Sequence, residues 1–416
     1  MEVLQDTYKD TKIGRIPKDW EVMKFGEIFD FIITSSHSKN EMVYSETDTE
    51  IYNVHYGAIH TTYKEQILDF EKYDIPRITD DSKLPREDQF LIDGDLVIVD
   101  ASEDWGGMGE CVELKNLEGR KVIGGLHTYA VRDKINAFAK GFTGYIFQNT
   151  AVRNKLASYA NVSKVYGITK GNISNVPIVI PTLPEQQKIA AILSTVDEQI
   201  STTDKIIEKS KELKKGLMQK LFSEGIGHTE FKDTKIGLNL EILNGFPAKS
   251  KYFNNERNGL PLIRIRNILK GHSETYYSGE FDSKYLIKKG DILIGMDGDF
   301  NIAKWTGVPS ILNQRICKLI AAKDPFNLEY LYYYLEVELK KIQARTPSTT
   351  VKHLSIKDLR KVNAYCPPLS EQQKIADILS EADAKIEKEQ TQKTQLETLK
   401  KGLMQQLLTG KKRVKV

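Results

Sequence analysis

Residues 185–193 read EQQKIAAIL, and residues 371–379 read EQQKIADIL. Further on, 214–221 read KKGLMQKL and 400–407 read KKGLMQQL. Both pairs are offset by 186 positions (371 − 185 and 400 − 214), so the stretch between them keeps its length while its letters drift. A shorter repeat, KDTKIG, stands at 9–14 and at 232–237, offset by 223 (232 − 9). The intervening modules therefore differ in length by 37 residues (223 − 186). Fixed repeats alternating with unequal variable modules predict a device that holds two different readers at a set distance. Internal repetition outranks local signals in assigning architecture.

Each repeated stretch predicts a long helix. Pro184 suits a first helical turn, where its missing N–H would be unpaired anyway, and Glu185 suits the dipole there. In the second copy Ser370 offers a cap behind Pro367-Pro368. Apolar residues then recur at steps of four and three: Ile189, Leu193, Val196, Ile200 and, after Thr203, Ile207, and again Ile375, Leu379, Ala382, Ile386 and later Leu396, Leu399 and Leu403. That is the spacing of a coiled-coil seam, with Thr203 and Glu389 at matching inward positions. From Pro184 to Phe222 the helix would be on the order of 58 Å long. Two such helices pack on each other most simply; ordinary bundle helices are the alternative. Packing alone does not require Gln186-Gln187 and Gln372-Gln373, so these repeated glutamines predict equivalent surfaces that meet something equivalent.

At 416 residues the chain exceeds one domain, and a hydrophobic fraction of 40% supports real cores. Lys and Arg total 60 against 57 Asp and Glu. This excludes a polycation but leaves room for a local basic face. Cys111, Cys317 and Cys366 form no CxxC pair, which speaks against a zinc ribbon. An odd cysteine count and an N-terminus without an apolar secretory core predict a reducing, cytoplasmic setting. No stretch approaches the roughly 20 apolar residues of a membrane span.

The variable modules run from about Ile13 to Ile180 and from about Ile236 to Cys366. In each, a Gly-Asp turn leads into an apolar β-branched run, Leu96-Val97-Ile98-Val99 and Ile292-Leu293-Ile294, which predicts a buried strand. A polar, aromatic loop follows in both: Ala101 to Gly107 with Trp105, and Met296 to Asn301 ending at Trp305. These loops reach into a groove, or their tryptophans pack. Earlier strands are predicted at Ile51–Tyr56 and Leu262–Asn267. In the second, alternation places Arg264 and Arg266 on one face beside Asn267 and His272. Such residues meet phosphates or guanine edges, or form surface salt bridges. Asn313-Gln314-Arg315 combines side chains suited to adenine and guanine. Each module closes with a helix and a short strand, Val176–Ile180 and Val362–Cys366, that feeds the long helix.

Catalytic signatures are missing. There is no HExxH and no Walker loop. Gly106-Gly107-Met108-Gly109 does not match a dinucleotide fingerprint and reads as a flexible loop. No proline-proline-aromatic tetrad, nuclease carboxylate pattern or histidine cluster stands out. That inventory favours a binding or adaptor role.

The chain resembles the specificity subunits of type I restriction–modification systems. The resemblance rests on Ile13-Gly14-Arg15-Ile16-Pro17-Lys18-Asp19-Trp20, on Phe25-Gly26-Glu27-Ile28, and on the helix openings Pro181-Thr182-Leu183-Pro184-Glu185-Gln186-Gln187 and Pro367-Pro368-Leu369-Ser370-Glu371-Gln372-Gln373. It covers essentially the whole chain, although the second module lacks the Pro-x-x-Trp element after Lys235-Ile236-Gly237. It implies an α+β fold: two α/β-type target recognition domains (1–180 and 229–366) and two long antiparallel coiled-coil helices (181–228 and 367–416 with the basic tail), related by a pseudo-twofold repeat. Each domain would read half of a bipartite, asymmetric site on double-stranded DNA, and the helices would set the spacer. Two modification subunits would methylate adenine with S-adenosylmethionine. Two restriction subunits would use ATP and magnesium. The chain itself would bind no cofactor or metal, meet no membrane and perform no catalysis.

Expected DNA contacts are His55, Tyr56, His60, Lys64 and Trp105 in the first module. In the second they are Arg264, Arg266, Asn267, Asp299, Asn301, Trp305, Arg315 and Lys352. Expected partner-docking residues are Glu185, Gln186, Gln187, Lys188, Glu371, Gln372, Gln373 and Lys374, with the helix ends Lys214–Met218 and Lys400–Met404. The tail Lys411 to Lys415 touches DNA or frays. A reader serving a methyltransferase-only defence complex, a scaffold that binds protein instead of DNA, and a self-sufficient nuclease or methyltransferase are the alternatives.

Overall fold

The computed structural model describes residues 7–45, 49–80, 84–103, 107–162, 166–226, 232–345 and 352–416. The chain divides into two compact units, one running to Asp204 and including Thr391–Val416, the other spanning Lys205–Gln390. Both long helices are present, Leu183–Glu224 with 42 residues and Leu369–Leu407 with 39. Each begins at the leucine of the repeated opening, and no proline follows Pro184 to break the hydrogen-bond ladder. The division falls inside both helices. Each unit therefore contains one variable module, the start of one helix and the end of the other.

In the first unit the main sheet has the strand order Phe29–Ile32, Thr128–Asp133, Leu96–Val99, Cys111–Lys115, Ile67–Asp69. Leu96–Val99 is buried at every residue, which accounts for its unbroken apolar run. A second sheet carries Ile51–Val54. That strand ends before Tyr56, which opens the helix Tyr56–Thr61, so the predicted strand is shorter than expected. Gly106 lies outside the described residues, but the rest of the segment expected to be flexible is packed: Met108 is buried, and a Cβ on Gly107 would lie 2.8 Å from His60 Cε1. Pro177–Ile180 pairs with Glu21–Lys24 and leads into the first long helix.

In the second unit the corresponding sheet runs Leu240–Asn244, Ile316–Ala322, Ile292–Gly295, Ile302–Lys304. The strand feeding its helix, Asn363–Cys366, pairs with Lys232–Lys235, so this module opens on a paired strand despite lacking the Pro-x-x-Trp element. The expected strand through Asn267 is corrected. The strand is Leu260–Ile263, and Ile265–Asn267 forms a 3-10 turn. Asn267 is the cause: its Oδ1 accepts the Arg264 N–H at 3.0 Å, and a local side-chain bond of this kind competes with the ladder. Trp305 is also corrected. It is 1% exposed and donates Nε1–H to the Val308 carbonyl at 2.9 Å, so it belongs to the core and not to a groove-facing loop.

The seam repeats within each unit. In the first, Ile189 and Leu193 share a core with Leu407 and Leu408. Lys393 Nζ lies 2.6 Å from Asp204, and Lys400 Nζ lies 2.5 Å from Asp197. Seven steps forward on one helix match seven steps back on the other, so these segments are antiparallel. In the second unit Met218 and Leu221 pack with Ile375 and Leu379, and Lys214 Nζ lies 2.8 Å from Asp383. Lys214–Asp383 is the image of Lys400–Asp197 under the 186-residue offset (400 − 214 and 383 − 197). Each aspartate also accepts a tyrosine hydroxyl, from Tyr145 at 2.8 Å and Tyr333 at 2.9 Å. Lys393 and Lys400 thus take inward positions, and Leu399, expected in the seam, is 50% exposed.

Candidate nucleic-acid interface

One end of each main sheet brings together side chains from separate parts of its module. In the first, the Asp100 N–H donates to the His127 carbonyl at 3.2 Å where two central strands meet. His127 Nδ1 sits 3.6 Å from Asp100 Oδ1, beyond hydrogen-bond reach. Burial raises the Asp100 pKa above the usual carboxylate value, and His127 opposes that shift. Tyr56, 41% exposed, stands edge-on to His127 with centroids 5.3 Å apart, and is flanked by His55 and His60. His60 Nδ1 is 2.6 Å from Glu110. Burial lowers the His55 pKa, which favours the neutral ring. The structure therefore gathers His55, Tyr56 and His60. Lys64 is directed elsewhere, 3.5 Å from Asp204 on the long helix. Trp105 lies outside the described residues.

The same junction recurs in the second module, where the Met296 N–H donates to the Arg315 carbonyl at 3.0 Å. Asp297 follows. Its Oδ1 is 2.5 Å from His353 Nδ1 and its Oδ2 is 3.3 Å from Arg315 Nε. Gln343 donates to Asp299 Oδ1 at 2.8 Å, and its carbonyl accepts from Lys352 Nζ at 2.7 Å. Asn301 closes the turn, its carbonyl accepting the Gly295 N–H at 2.8 Å. Asp299, Asn301, Arg315 and Lys352 are therefore neighbours. Asp100, Glu110, His127, Asp297, Gln343 and His353 belong to these clusters but did not stand out in the sequence. His353 is 56 residues from Asp297, so only strand register reveals the pair.

Arg264, Arg266 and Asn267 occupy a separate open hollow of about 670 Å³ with Lys270 and His272. Asn267 is buried and serves the turn. Arg264 bonds the Thr275 hydroxyl, while its buried Nε has no hydrogen-bond partner among the described residues. Burial and the neighbouring Arg266 lower the Arg264 pKa. A concave site lined by several cations suits a phosphate.

The expected docking residues divide sharply. Gln186 is fully buried. Its Oε1 accepts the Ala139 N–H at 2.7 Å, and its Nε2 donates to the Ala137 and Pro181 carbonyls at 2.9 and 2.8 Å. Gln372 repeats this, accepting from Asn327 N–H at 2.8 Å and donating to the Pro325 and Pro367 carbonyls at 2.7 and 2.8 Å. The repeated glutamines thus clamp each helix to its own module. They are not surface for a partner. Glu185, 1% exposed, accepts from Trp20 Nε1 at 2.7 Å and from Arg413 Nε at 2.5 Å. Glu371 accepts the Ile226 N–H at 2.7 Å. Gln187, Lys188, Gln373 and Lys374 are exposed. Lys214, Lys400 and Met218 are spent inside their units. In the basic tail, Arg413 forks onto Asp19 at 3.0 and 2.7 Å.

The family of the type I restriction modification DNA specificity domain matches residues 17–212 and 231–398. The chain belongs to that family. Within it, the chain is 42% identical over 169 residues to the type I restriction enzyme EcoBI specificity subunit of Escherichia coli, a match spanning 41% of this chain and 36% of that protein. It is 28% identical over 441 residues to the putative type I restriction enzyme MjaX specificity subunit of Methanocaldococcus jannaschii, spanning 99% of this chain and 98% of that one. The S subunit of a type I restriction–modification system from M. genitalium shares the fold, with a TM-score of 0.56 and 16% identity over 93% of this chain and 96% of its own. Among the described residues, no helix is long and apolar enough to cross a membrane.

Proposed function

We propose that this chain is the DNA-recognition subunit of a type I restriction–modification complex. Each module reads one half of a bipartite, asymmetric site, and the long helices fix the unread spacer. The observation that carries this reading is the recurring sheet-end junction. The same end of the main sheet holds Tyr56, His127 and Asp100 in one module and Arg315, Asp297 and His353 in the other. Equal scaffolds with unequal side chains suit two readers of different sequences. Rigid elements between two readers set half-site spacing on a helical ligand.

Two modification subunits dock on the chain and methylate adenine with S-adenosylmethionine. Two restriction subunits act with ATP and magnesium, and this chain performs no catalysis. The exposed Gln187, Lys188, Gln373 and Lys374 are the surviving docking candidates on the helix openings. The test is selection from a pool of randomised duplexes by the chain assembled with its modification subunit. Enrichment of two short conserved blocks around a fixed unread gap is the expected result. Binding that does not track sequence would favour a protein scaffold.

A further inference from the structure

The two sheet-end junctions share a strand register. Val99 pairs with Thr128 and Gly295 with Ile316, which makes His127 and Arg315 equivalent: each stands one residue before its strand. Each faces a carboxylate, Asp100 in the first module and Asp297, one step further along, in the second. The chemistry differs at that shared position. Arg315 approaches Asp297 most closely through Nε, at 3.3 Å, and its side chain is 57% exposed. Among the described residues its two terminal nitrogens make no hydrogen bond. Asp297 is itself held on its other oxygen by His353, so the brace is fixed from both sides.

A guanidinium held at Nε presents its Nη1–Nη2 edge outward. Those two parallel donors match O6 and N7 of guanine in the major groove. Bracing also removes rotamer freedom before binding, which lowers the cost of ordering the side chain on DNA. The two ring nitrogens of His127 point apart and cannot make that paired contact.

Resting on the DNA-reading role proposed above, we infer that Arg315 is a specificity-determining residue that reads a guanine in the half-site of the second module. The equivalent His127 leaves the first half-site without this contact, so the two halves differ at the corresponding position.

The test is duplex selection by the assembled complex containing wild type, Arg315→Ala, Arg315→Lys or Asp297→Asn. Wild type should select a guanine, on either strand, at one position of the second half-site. Replacing it by 7-deazaguanine, which lacks the N7 acceptor, should weaken binding about tenfold or more. Arg315→Ala should relax that position alone and leave the first half-site unchanged. Arg315→Lys, a point charge without the fork, should relax it nearly as far. Asp297→Asn keeps the arginine but loses its charged brace, and should give an intermediate preference. An unchanged second half-site in Arg315→Ala overturns the inference. So does a uniform loss across both half-sites, which is the mark of a phosphate contact. If wild type selects no bipartite sequence at all, the DNA-reading role fails instead. Because Arg315 is exposed, its variants should unfold with wild type, which thermal melting checks.

Discussion

Removing Lys400 should loosen the first unit far more than removing its repeat partner Lys214 loosens the second. Lys400 and Asp197 are 12% and 6% exposed, and the Tyr145 hydroxyl completes the aspartate's shell. Lys400→Met leaves a buried carboxylate with a single hydroxyl donor, a loss of about 3 kcal/mol, the low end for breaking a buried pair because water still reaches the lysine. Asp197→Asn with Lys400→Met removes both charges. Such double replacement is close to neutral in other buried pairs, so the coupling should be at least the cost of the single Lys400→Met, about 3 kcal/mol or more. Lys214→Met should cost less, about 1 kcal/mol, since its two carboxylate partners, Asp383 and Glu336, are 37% and 26% exposed and water replaces the lost cation. Hydrogen exchange of the amides in residues 189–204 and 207–221 reads each unit separately. Equal losses in the two units, or a double variant that loses the full sum of its singles, would refute the reasoning.

Gln186→Ala should lose about 2–3 kcal/mol of first-unit stability by stranding two carbonyls and an N–H, and Gln186→Glu should lose more, because a carboxylate would face those carbonyls; hydrogen exchange near Ala137–Ala139 reports both. The Arg413 guanidinium, by hydrogen bonding, holds the Asp19 carboxyl below its usual pKa of 3.8. The stability this gives is present above that value and lost as pH falls through the lower folded value, so an acid melting series should be flatter for Arg413→Ala than for wild type. Burial pushes the Glu113 carboxyl up to about 7, against N–H bonds from Gly141 and Gly144. A raised folded pKa means stability is full below about 4.5 and declines as pH rises through 7; melting temperatures from pH 5 to 8 should fall in wild type and stay level in Glu113→Gln. Deleting one heptad from a long helix should change the tolerated spacer and leave both half-sites alone, as read by duplex selection.

Large features were legible in the sequence because they repeat or carry strong periodicity. The two helices, the buried strands at Leu96–Val99 and Ile292–Gly295, and the strands feeding each helix all followed from apolar patterning and the 186-residue offset. What escaped depends on contacts distant in sequence. Gln186 and Gln372 look like surface polar residues in a helix opening, and only the neighbouring module's open backbone groups make them interior clamps. Lys393 and Lys400 interrupt the apolar count, yet each sits inward because an aspartate meets it. A one-residue slip then put Leu399 in the seam. The Arg264–Asn267 stretch alternates like a strand, but one asparagine side chain bends it into a turn. The Asp297–His353–Arg315 cluster joins three separate segments, and no spacing rule announces it.

If this chain selects the DNA sites its complex acts on, removing it should abolish site-specific methylation. Methylome sequencing of cells expressing it with its candidate modification subunit, beside an otherwise identical strain without it, tests this most directly. The expected result is a bipartite, asymmetric N6-methyladenine motif with a fixed gap that disappears when the chain is removed. Identical methylomes in the two strains, with the complex shown to assemble, would contradict it.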